Sequence, residues 1–88
     1  MRLDKFLKVS RLIKRRTMAK EVSDQGRIFV NGLAAKASSN VRAGDELTIR
    51  FGQRRVTVKI ERIQEISRKE EAAEMYTIIK EERLSETE

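Results

Sequence analysis

The sequence predicts an α+β domain in which two short N-terminal helices pack on a small antiparallel sheet, followed by a short helical extension. Three observations carry that expectation. Apolar residues recur at helical spacing up to Gly26, and they then alternate with polar residues from Ile28 to Ile60 around the turn pairs Asn31-Gly32 and Gly44-Asp45. At 88 residues the chain closes only one hydrophobic core. The expected organisation is a domain over residues 1–66 and an acidic, helical extension with a frayed end over residues 67–88.

In "RLDKFLKVS", Leu3, Phe6 and Leu7 stand at i, i+3 and i+4 with Arg2, Lys5 and Lys8 between them, the pattern of a helix with one buried stripe. Asp4 falls in the first turn, where the helix dipole favours a carboxylate. The period breaks after Ser10, so Leu12 and Ile13 are expected to anchor a turn, "SRLIKRRT", that presents Arg11, Lys14, Arg15 and Arg16. "TMAKEVSDQG" predicts a second helix with Thr17 as N-cap, Met18, Ala19 and Val22 facing inward, and Gly26 just past the C-cap in the left-handed conformation.

"RIFVNGLAAK" switches to an extended pattern. Asn-Gly between apolar residues is the signal of a type I′ hairpin, because both central residues of that turn need positive φ. An Ala-Gly-Asp turn leads into a strand with Leu47, Ile49 and Phe51 on one face, and Gly52-Gln53 joins it to a second strand with Val56, Val58 and Ile60 on one face. The sheet is expected to be antiparallel and apolar on one side only. In "RKEEAAEMYTIIKEE" the spacing of Ala72, Met75, Tyr76 and Ile79 predicts a helix beginning near Ser67, although "MYTII" by itself also suits a strand. The last residues, "SETE", are expected to fray.

Composition narrows the chemistry. The chain has neither Cys nor His, so it offers no thiolate or imidazole as nucleophile, base or metal ligand, and no Gly-rich phosphate loop; an enzyme, a metal site and a cofactor are not expected. No apolar run reaches the length of a membrane span, and the first residues lack the pattern of a signal peptide, so a cytoplasmic protein without membrane contact is expected.

Charge is placed unevenly. The net charge of +6 divides into +10 over residues 1–60 and −4 over residues 61–88. Before Glu21 the sequence holds eight Lys/Arg and one acid, Asp4. Such an excess on one two-helix corner points to a polyanion, with Arg2, Lys5, Lys8, Arg11, Lys14, Arg15, Arg16 and Lys20 as contacts. Asp4, which cannot usefully meet a phosphate, is expected to hold a neighbouring Arg or cap the helix, with Thr17 as a second supporting residue. Phe6, Phe29 and Phe51 are expected on core faces, leaving no platform for stacking bases; shape and backbone are then read in preference to sequence.

"RLDKFL", "RRTMAKEVSDQGRIFVNG" and "VRAGDEL", in that order and spacing, resemble the RNA-binding domain named after small-subunit ribosomal protein S4. The resemblance spans roughly Met1 to Leu47. It implies that the two-helix surface docks on RNA phosphates, with Arg2, Asp4, Arg15 and Arg16 at or next to favoured positions. The size of the chain is similar to that of the small ribosome-associated heat-shock proteins and of ribosome quality-control factors. That similarity implies a monomer in isolation that binds rRNA of the large ribosomal subunit and peptidyl-tRNA. It further implies that P-site tRNA is held while a partner protein adds an alanine tail to the stalled chain. Two other readings stay open: a helix-turn-helix DNA-binding module with residues 17–24 as recognition helix, and a non-catalytic subunit delivering RNA to a modifying enzyme.

Overall fold

Leu3, Phe6 and Leu7, the stripe read from their spacing, are all fully buried and fix the first helix, α1 (Leu3–Val9), against the rest of the molecule. Each such side chain contributes about 1.5–3 kcal/mol relative to exposure. The computed structural model describes residues 1–65 and 68–83. In order after α1 come α2 (Arg16–Asp24), β1 (Ile28–Val30), β2 (Leu33–Ala34), β3 (Glu46–Phe51), β4 (Arg54–Ile60), α3 (Lys69–Ala72) and β5 (Tyr76–Arg83).

The strands form one antiparallel sheet in the order β2-β1-β3-β4-β5. Asn31 (φ 52°) and Gly32 (φ 84°) make the β1–β2 turn with the two positive φ values that the Asn-Gly pair predicts. Asn31 does more than turn: its Oδ1 accepts from the Glu46 backbone N–H at 3.0 Å and its Nδ2 donates to Asp45 at 3.1 Å, pinning the hairpin to the start of β3. The β3–β4 hairpin runs through Gly52-Gln53 with Leu47 opposite Val58 and Ile49 opposite Val56. These residues, with Ile28 and Ile60, turn to the helices and form the core with Leu3, Phe6, Leu7, Ile13, Ala19 and Val41.

α2 ends as expected. Gly26 (φ 77°) donates to Ser23 O at 3.0 Å and Arg27 to Val22 O at 3.3 Å, a Schellman closure. Its beginning differs from expectation. The N-cap position is Arg15, with extended φ/ψ and no side-chain cap, and Thr17 lies inside the helix, exposed. The inward stripe is Ala19, Val22 and Ser23, spaced i, i+3, i+4, which leaves Met18 beside the stripe and 53% exposed.

Two further expectations are corrected. Phe29 is only partly buried: between Ile28 and Val30 the strand alternation turns it to the face away from the helices. The expected C-terminal helix is a single turn, Lys69–Ala72, and residues 76–83 are a strand paired to β4. Pairing decides this, because β4 would otherwise be an unpartnered edge, and Met75, fully buried, ties the junction into the core. A register shift beside Thr57/Val58 interrupts the β4–β5 ladder, and Ile78 and Ile79 remain about half exposed. The helix start near Ser67, the boundary between residues 66 and 67 and the frayed "SETE" end lie outside the described residues. No helix among the described residues is long and apolar enough to cross a membrane.

Candidate nucleic-acid interface

The turn between the two helices is built as a rigid piece. α1 closes at Ser10, whose Oγ donates to Leu7 O at 3.3 Å, and the chain then reverses through Arg11 at φ 64°. Left-handed backbone costs a non-Gly residue roughly 1–2 kcal/mol. It is held here because Arg11 N–H donates to Lys8 O and Ile13 N–H to Leu7 O, both at 3.0 Å, while Ile13 is buried and Leu12 packs on the core. Leu12 and Ile13 are thus the anchors that their position predicts, and Arg11, Lys14 and Arg15 are left exposed.

Asp4 sits at the centre of this corner, 3% exposed. Its Oδ1 accepts from the Lys5 backbone N–H at 2.8 Å and from Arg2 Nε at 3.2 Å, and its Oδ2 from Arg2 Nη2 at 3.2 Å. Arg16 Nη2, from the first turn of α2, lies 3.7 Å from Oδ1. One buried carboxylate therefore orients two guanidinium groups whose side chains stay about half exposed, 49% for Arg2 and 48% for Arg16. Holding a neighbouring Arg is the role that the sequence suggests for Asp4; the cap role expected of Thr17 is not filled.

The two helix N-termini differ. In α1, Leu3 and Asp4 donate to Ser39 O and Ala37 O, so the strand-connecting loop occupies that end. In α2 no side chain caps the N-terminus and no acidic residue stands in the first turn. The N–H groups of its first turn, from Arg16 to Met18, precede the first intrahelical bond, Ala19 N–H to Arg15 O, and favour an anion.

Of the eight cations read from the sequence, Lys8, Arg11, Lys14, Arg15 and Lys20 are exposed and meet no carboxylate among the described residues. Lys5 is engaged: its Nζ bonds the Glu65 carboxylate, and that hydrogen bond holds the Glu65 carboxyl below its ordinary value of 4.5. The acidic segment is likewise partly internal, since Glu74 pairs with Arg62 at 2.6 Å and Glu71 accepts from the Arg68 backbone N–H at 3.0 Å.

Sequence reading missed one cluster. On the sheet face away from the helices, a cleft is lined by Gln25, Gly26, Arg27, Phe29, Arg50 and Gly52. Strand alternation was the available signal, because Ile28 and Val30 pointing inward require Phe29 to point outward.

Two short helices on an antiparallel sheet, joined by a pinned basic turn, define a small S4-type fold. The chain belongs to the S4-domain family, whose model matches residues 1–47. It is 70% identical over 86 residues to a Bacillus subtilis protein named RQC P-site tRNA stabilizing factor, covering 98% of this chain and 100% of that one. A Listeria monocytogenes protein of the same name is 68% identical over 87 residues, covering 99% of this chain and 95% of the relative. Among solved structures, trimeric Heat Shock Protein 15 of Vibrio cholerae superimposes with a TM-score of 0.82 at 35% identity, over 89% of this chain and 80% of that chain.

Proposed function

We propose that this protein is a non-catalytic, cytoplasmic RNA-binding factor of ribosome quality control. It docks on rRNA of the large ribosomal subunit and stabilises P-site peptidyl-tRNA on subunits obstructed by a stalled chain, while a partner protein extends that chain with alanine. The observation that carries the reading is the Asp4 clamp: Arg2 and Arg16 converge on one buried carboxylate beside a turn whose exposed cations meet no carboxylate among the described residues. The names of the whole-length relatives supply the ribosomal setting.

The contacts are Arg2, Lys8, Arg11, Lys14, Arg15, Arg16 and Lys20, with Lys5 held by Glu65 at the margin. A fixed array of guanidinium groups and backbone N–H donors selects phosphates by their spacing, which is how a structured RNA is told from a flexible one. The DNA-reading alternative is less well supported, because α2 carries Glu21 and Asp24, and Asp24 is occupied by the Ala37 backbone N–H at 3.2 Å.

Sedimentation of the full chain through a sucrose gradient with purified ribosomal particles tests the reading. Comigration with large subunits carrying P-site tRNA is expected. Comigration only with small subunits, or with none, contradicts it.

A further inference from the structure

The outer face of the sheet carries a row of like charges. Arg50 stands directly opposite Arg55 in the β3–β4 register. On the other side, Arg50 N–H donates to Arg27 O at 3.0 Å, which continues the Ile28–Ile49 pairing by one residue and sets Arg27 beside Arg50. Neighbouring backbones in such a row lie about 4.8 Å apart. Like charges directly opposite one another are destabilising. Only Arg55 is relieved, by Glu82 at 2.7 Å, and the same carboxylate also takes Lys80 at 3.4 Å. Arg27 and Arg50 are exposed and have no carboxylate against them among the described residues; Glu46, the acid on this face of β3, stands across from Lys59.

Phe29 lines the same cleft as these two arginines, its ring partly exposed. The rest of the row beside it is polar, Thr48 and Thr57 being joined through their hydroxyls at 3.3 Å. A protein-binding patch has an apolar centre, and this face has one ring among arginines and threonines. Arginines flanking an exposed ring suit a nucleic-acid backbone with a base or sugar on the ring.

We propose that Arg27, Arg50 and Phe29 form a second RNA-backbone site, and that the protein holds two RNA segments at once, one on the helix corner and one on the outer sheet face. This rests on the reading of the helix corner as an RNA site. α1 and α2 cover the inner face of the sheet, so the two surfaces look in opposite directions across a domain 22–23 Å in its short dimensions.

The test uses the full chain, a biotinylated RNA duplex fixed to a surface and, in solution, a second, fluorescent RNA hairpin whose loop offers unpaired bases. The unchanged protein binds the fixed duplex and captures the second. Arg27→Ala/Arg50→Ala keeps binding to the fixed duplex within about threefold and loses capture by at least about tenfold, with the salt slope of capture falling by about 1.8 for two phosphates. Arg54→Ala/Arg83→Ala removes equal charge from the other face of the same sheet and leaves capture intact. Phe29→Leu lowers capture about threefold if a base stacks on the ring.

Unchanged capture by the Arg27/Arg50 variant, equal loss in the Arg54/Arg83 variant, or an unchanged protein that binds but never captures overturns the second site. Full capture by Phe29→Leu overturns the stacking contact. Failure of the unchanged protein to bind the fixed duplex at all overturns the reading of the helix corner instead.

Discussion

Arg16, in the first turn of α2, reaches back to the buried carboxylate of Asp4 in α1, 3.7 Å away, where Arg2 is already bound through two hydrogen bonds of 3.2 Å. The carboxylate neutralises part of the repulsion between the two guanidinium groups and aims both outward. It also fastens the first turn of α1 to the first turn of α2, where the basic turn enters the second helix.

This arrangement separates orientation from net charge. Asp4→Asn keeps the shape and an acceptor for Lys5 N–H but removes the charge, and raises the net charge above +6. A protein that binds by charge alone binds more tightly after this change. An oriented array binds more weakly, and the expected loss is about 3- to 10-fold, measured by fluorescence anisotropy with a structured RNA. Stability falls as well, by about 1–3 kcal/mol in urea unfolding, because charge-assisted hydrogen bonds to a buried group are lost.

Salt dependence follows from the exposed cations of the helix corner, which release counterions when they neutralise phosphates. If about six phosphates are neutralised, affinity falls ~10³-fold between roughly 50 and 200 mM salt. Titrations at several salt concentrations measure the slope, and a flat response excludes a phosphate-based interface.

Stability depends on acid pH through two carboxylates. Hydrogen bonding from Lys5 lowers the Glu65 pKa and hydrogen bonding from Arg55 lowers that of Glu82, each from an ordinary 4.5. A folded-state pKa below the unfolded one gives stabilisation that is present above pH 4.5 and is lost as pH falls through the depressed folded values. Urea midpoints measured on descending through that window should decline, and Glu82→Gln should decline less steeply. Both groups are solvent-accessible, so the change per group is small.

Met75 distinguishes a packed junction from an appended tail. Its side chain is fully buried in the core that α1 and the sheet share. Met75→Ala should cost about 2–5 kcal/mol. Met18→Ala, at a position 53% exposed, should cost less than about 0.5 kcal/mol. Parallel urea titrations of the two variants decide the matter.

Much of this was legible in the sequence where a local pattern and a tertiary contact agree. Leu3, Phe6 and Leu7 have one way to share a face, and Asn31-Gly32 suits one turn, so α1 and the first hairpin follow from spacing. The segment around Tyr76 was ambiguous because "MYTII" between charged residues satisfies a helical and an extended period; pairing with β4, distant in sequence, resolves it. Thr17 has the chemistry of an N-cap, yet α2 starts one residue before it, because the turn pinned by Ile13 delivers Arg15 in extended geometry to the cap position. At the helix corner, residue type revealed the cations. Which of them stay exposed depended on partners such as Glu65, brought to Lys5 only by the fold.

The most direct test of the oriented corner is the affinity of full-length Arg16→Glu for purified large ribosomal subunits carrying P-site tRNA, compared with Arg83→Glu, which makes the same charge change in β5. Arg16→Glu should weaken binding by at least about 30-fold, since it removes a guanidinium from the Asp4 clamp and sets two carboxylates together, while Arg83→Glu should change it by less than about threefold. Equal losses in the two variants would contradict the assignment of RNA binding to the helix corner.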